Sequence, residues 1–77
     1  MYKYLIIYPE QYEVYQSAEI FSHKQRIDIN GSTFISELYH FDRDGPYGIL
    51  IKQFNPVGHS RIREAIKQAN IPTLPQV

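Results

Sequence analysis

Apolar and polar positions alternate most clearly at the start of the chain. Tyr2, Tyr4, Ile6 and Tyr8 fall on one face of an extended segment, and Lys3, Leu5 and Ile7 on the other. Beyond Lys3 both faces are apolar, the pattern of a strand with a layer on each side, and Pro9 ends it. Residues 10–24 fit two periods. As a helix, Val14, Ala18 and Phe21 form one stripe with Tyr15 beside it, Pro9 stands near the first turn, and Glu10 suits the helix dipole. As a strand, Tyr12, Val14, Ala18 and Ile20 alternate, broken at Gln16. The span exceeds the usual strand length of about 5–6 residues, so the pattern predicts a helix here, with a strand as the alternative.

Asn30-Gly31 separates Ile27-Asp28-Ile29 from Ser32-Thr33-Phe34-Ile35. Asn-Gly supplies the two positive φ angles of a type I′ turn, which predicts a two-residue hairpin pairing Ile29 with Ser32 and Ile27 with Phe34. A second hairpin follows. A strand around Phe34–Phe41 reaches the turn cluster Asp42-Arg43-Asp44-Gly45-Pro46 and returns through Tyr47 to Phe54, with Ile49-Leu50-Ile51 at its centre.

The last periodic segment lies within Pro56–Asn70. Ile62, Ala65, Ile66 and Ala69 recur at the i, i+3, i+4, i+7 spacing of one helix stripe. Asn55-Pro56 or Ser60 could start this helix; Asn70 suits a left-handed end, Ile71 can then touch Ile66, and Pro72 forbids continuation. The expected fold is α+β: a small antiparallel sheet of about four strands covered by a C-terminal helix, in the order strand, helix, strand, strand, strand, helix. Residues 1–71 form the expected domain. Residues 72–77 form an extended tail, since Pro72 and Pro75 exclude helix and central strand.

Composition narrows the class. The chain has 77 residues, enough for one domain with a thin core. An apolar fraction of 43% with 14% aromatics separates it from disordered chains, which lack aromatics. With no cysteine there are no disulfides and no thiolate chemistry, which fits a reducing compartment, the cytoplasm. Leu5-Ile6-Ile7-Tyr8, ended by Pro9, is shorter than a signal-peptide core or a membrane span, so no membrane partner is expected. The net charge of zero hides an asymmetry: residues 1–51 carry four basic and seven acidic groups, whereas residues 52–77 carry four basic groups and only Glu64.

No motif nominates a catalytic residue, a metal ligand set or a cofactor. His23, His40 and His59 are far apart in sequence; His40 and Asp42 would share a strand face, but no nucleophile accompanies them. Asp42-Arg43-Asp44-Gly45 resembles a piece of a calcium loop, yet Ile51 stands where the bidentate Glu is required. Gly45-Pro46-Tyr47-Gly48 has the Gly-x-x-Gly letters of a KH loop, but between strands rather than helices. Two constellations remain. His59, Arg63 and Lys67 form a basic ridge at i, i+4, i+8, with Lys52 ending the preceding strand; such a ridge can track phosphates, and otherwise it is a solvated helix face. Five of seven tyrosines lie in residues 1–15: Tyr2, Tyr4, Tyr8, Tyr12 and Tyr15. They could pack under a helix, anchor a protein interface or stack bases.

These features predict a small non-enzymatic protein-interaction or regulatory module whose partner is another protein or a second copy of itself, as in a homodimer. The alternative is a nucleic-acid binder using the basic ridge and the tyrosine face. The order of elements alone assigns no function.

Overall fold

The structure, a computed structural model, describes residues 1–41 and 43–75. Five strands and one helix follow one another: β1 (Tyr2–Ile7), β2 (Tyr12–Ser17), β3 (Arg26–Ile29), β4 (Ser32–Phe41), β5 (Asp44–Lys52) and α1 (His59–Ala69). The fold is α+β, as the periodicities predict. The sheet differs from expectation: it has five strands in the order β2-β1-β5-β4-β3, and it is mixed, because β1 and β5 run parallel while the other neighbours are antiparallel.

The expected first helix within residues 10–24 is corrected to β2 and a long loop. Tyr8-Pro9-Glu10-Gln11 closes a turn, with the Tyr8 amide donating to the Gln11 carbonyl at 2.8 Å, and β2 returns beside β1. Pairing places Tyr15 opposite Tyr4 and Tyr12 opposite Ile7, so both tyrosines gain a neighbour on a pleated surface. As an edge strand β2 leaves Val14 exposed, and its apolar alternation is correspondingly weak.

The Asn30-Gly31 hairpin forms in the expected register, Ile29 with Ser32 and Ile27 with Phe34, with φ of 49° and 83° at the two turn residues. The helix ends as predicted on Asn70, whose φ of 51° is left-handed and whose amide donates to the Ile66 carbonyl at 3.0 Å. Its N-cap is Gly58, rather than Asn55 or Ser60, and no side chain caps it.

Both faces of the sheet are covered. On one, Leu5, Ile7 and Ile49 meet Ile62, Ala65 and Ile66 of α1 together with Ile71. On the other, Tyr4, Ile6, Phe34 and Leu50 meet Phe21 and Leu74. The second cover follows from topology. β2 and β3 lie at opposite edges, so residues 18–25 must cross the sheet, and they carry Phe21 onto Tyr4 with ring centroids 4.8 Å apart. The Tyr4 hydroxyl donates to the Glu19 carbonyl at 2.8 Å and accepts from the Phe21 amide at 3.0 Å. The loop ends by bonding along β4. The Ser36 hydroxyl donates to the Ser22 carbonyl and accepts from the Gln25 amide, which satisfies the one buried polar side chain among the described residues.

After α1 the chain passes from one core to the other. Ile71 packs on the helix side and Leu74 on the opposite side, where the Leu74 amide donates to the Pro46 carbonyl at 2.7 Å.

Candidate functional site

One helix cannot roof five strands. Strands spaced about 4.8 Å apart span roughly 20 Å, whereas a helix with its side chains is about 10 Å wide. Since α1 lies over β1 and β5, the neighbouring face of β4 stays open beside it. Register puts Ile35 opposite Ile51 and Glu37 opposite Ile49, on the same face as the helix. Residues 53–58 lift the chain from β5 to α1 and wall this opening.

The result is a groove of about 270 Å³ with Ile35, Ile51, Val57 and Ile62 among its lining residues. Lys24, Lys52 and His59 also line it. Among the described residues Glu37 is its one carboxylate, and Lys24 pairs with it as a salt bridge. His59 lies beside Tyr39, with ring centroids 5.9 Å apart. The start of α1 adds to this charge: no acidic residue stands in the first turn, so the positive end of the helix dipole is uncompensated.

At the mouth of the groove stands Phe54, which is 92% exposed. It occupies the third position of a turn closed by the Asn55 amide donating to the Lys52 carbonyl at 3.1 Å, with φ of 66°. A left-handed backbone costs an L-residue about 1–2 kcal/mol, and turns of this kind ordinarily place Gly or Asn there. A large aromatic that is both exposed and strained gains nothing visible for the fold. Such outliers cluster at ligand clamps.

The structure divides the residues singled out from the sequence. Of the basic ridge, His59 and Lys52 line the groove, whereas Arg63 and Lys67 border a shallow depression with Ser60 and Glu64 on the outer side of α1. Tyr2, Tyr8 and Tyr15 are half-buried against the core opposite the helix, and Tyr4 is fully buried there. Tyr12 is on the other face, packed into the helix-side core. Burial pushes the Tyr4 phenol above its ordinary pKa, with the Phe21 amide opposing; burial, and then Glu13, pushes Tyr8 up as well. The tyrosines therefore divide between two cores rather than forming one exposed aromatic face.

The Nδ1 of His23 accepts the Leu38 amide at 3.1 Å, and His40 is exposed near the turn into β5. Asp42, which the His40 pairing and the calcium-loop fragment both require, lies outside the described residues, as do Gln76 and Val77 of the expected tail. Among the described residues no cluster of three His, Cys, Asp or Glu side chains could hold a metal ion. No described helix is long and apolar enough to cross a membrane.

Phe54, Ile35, Val57 and Lys24 were not singled out by sequence reasoning. The available signal was an aromatic residue immediately before Asn55-Pro56, a turn pair, where an apolar side chain is out of place. Comparison with the models of known protein families, with curated proteins and with solved structures finds no match to this chain.

Proposed function

We propose that the protein is a small, non-enzymatic protein-interaction module acting in the cytoplasm, and that the groove beside α1 is its docking surface. The observation that carries this reading is Phe54, a nearly fully exposed aromatic on a left-handed backbone beside an opening lined by aliphatic residues. Aromatic side chains dominate the energetics of protein interfaces, and a nearly fully exposed one leaves almost its whole surface to be buried on binding. The absence of cysteine supports the reducing compartment.

The test compares proteins captured by the immobilised wild type and by Phe54→Ala. The reading expects specific partners that the variant fails to retain. An identical set on both columns would sink it.

The alternative, nucleic-acid binding, draws support from His59, Arg63 and Lys67 on exposed positions of α1. Against it, Glu64 shares the depression with Arg63 and Lys67, and the chain has no net charge. Salt-dependent oligonucleotide binding that weakens in an Arg63→Ala/Lys67→Ala double variant would favour this alternative.

A further inference from the structure

The chemistry lining the groove specifies what would fill it. Its aliphatic lining (Ile35, Ile51, Val57 and Ile62) suits a large apolar side chain. Its volume of about 270 Å³ falls below the range of about 300–1,000 Å³ typical of small-molecule sites, so it fits an anchoring side chain better than a whole cofactor.

The charge around it is one-sided. Among the described residues the one carboxylate in the lining, Glu37, is already neutralised by Lys24. The charge of Lys52 remains, together with the start of α1, whose first turn holds no acidic residue. Glu10, Glu13 and Glu19 lie on or beside β2, at the far edge of the sheet; Asp28 shares the groove's face on β3, where it accepts from Thr33, and Arg26 stands on that same face opposite Ile35. A ligand entering here moves into a positive field next to a low-dielectric surface, where opposite charge is favoured and like charge is repelled.

We infer that the groove takes an acidic peptide segment of a partner protein, in which one large apolar residue is flanked by Asp or Glu. The apolar residue seats against Ile35 and Val57 and is covered by Phe54, while the flanking carboxylates meet Lys52 and the start of α1. This assignment rests on the docking role proposed for the groove and adds the partner's chemistry. The helix start contributes field rather than a separate site. An aliphatic lining, an exposed aromatic and a positive rim meet in one opening.

The test is a display selection of random short peptides on the immobilised full chain, followed by titration of the enriched peptides into wild type, Phe54→Ala and Lys52→Glu. Both positions are exposed, so both variants should keep the wild-type amide spectrum. The expected peptides share an apolar residue with acidic neighbours. Their binding should weaken with added salt and fall about tenfold or more in each variant. Enriched peptides that need Phe54 but show no acidic excess, or that bind Lys52→Glu as well as wild type, would overturn the assigned chemistry while leaving the docking surface in place. If no selected peptide depends on Phe54, both the chemistry and the docking surface are overturned. A self-association of the free protein, seen by light scattering and abolished by Phe54→Ala, would assign the groove to a second copy and overturn the peptide.

Discussion

Tyr4 and Gly48 are register partners across β1 and β5, and the Tyr4 ring fills the space a side chain on Gly48 would take. A Cβ on Gly48 would lie 2.6 Å from Tyr4 Cε1, closer still to Cδ1, and 2.9 Å from Leu74 Cδ1. The ring cannot swing aside cheaply, because its hydroxyl is held by Glu19 and Phe21. Gly48→Ala should therefore destabilise the fold by about 1–3 kcal/mol through overpacking. Urea denaturation measures this, and a wild-type midpoint would show that the ring is not confined.

The same hydroxyl makes stability depend on alkaline pH. Burial raises the folded-state pKa of Tyr4 above its ordinary value of 10.0, so the folded state keeps this proton longer than the unfolded chain. The resulting stabilisation is complete below pH 10 and is lost as pH rises from the ordinary value through the folded one. Tyr8 acts in the same direction. Tyr4→Phe should cost about 1–3 kcal/mol at neutral pH, because the buried Phe21 amide loses its acceptor, and should show a smaller alkaline loss. Denaturation midpoints followed from neutral pH to above pH 10 decide it; parallel curves for variant and wild type would exclude Tyr4 as a source of the alkaline loss.

Phe54→Gly should separate stability from binding. Glycine relieves a left-handed backbone penalty of about 1–2 kcal/mol and adds about 0.4–1 kcal/mol of unfolded-chain entropy cost. The variant should be as stable as wild type or up to about 1.6 kcal/mol more stable, although it loses a large aromatic side chain. Thermal unfolding provides the readout. A clear loss of stability would mean that Phe54 packs into the fold, contrary to its exposure.

Leu74→Ala should cost about 2–5 kcal/mol, the range for truncating a buried leucine. It would uncover Tyr4 and Gly48 on the face opposite the helix. Near-native stability in the variant would show that residues 72–75 lie on the domain without contributing to it.

What could be read from the sequence was what neighbours in the chain decide. The Asn30-Gly31 register follows from two φ angles, and the end of α1 follows from Asn70 and Pro72. β2 carries a weak strand signal because an edge strand buries little, so Gln16 and the exposed Val14 blur its alternation. The parallel pairing of β1 with β5 joins residues more than forty positions apart, and no local pattern encodes it. At the site, Lys52 and His59 were visible as basic positions but were grouped with Arg63 and Lys67, since spacing along a helix is legible and proximity across elements is not. Phe54 reads from the sequence as the last residue of a strand because its propensity opposes the conformation it adopts.

The last strand made is the middle strand of the sheet. While the chain is being synthesised, β1 and β2 can pair, and so can β3 and β4, but the two hairpins share no strand-to-strand border until β5 enters between them. Each of these hairpins alone is marginal in water and presents an open inner edge, along β1 in one and β4 in the other. The nine residues of β5 thus supply, on their two sides, the border that each hairpin lacks, and close the sheet between β1 and β4.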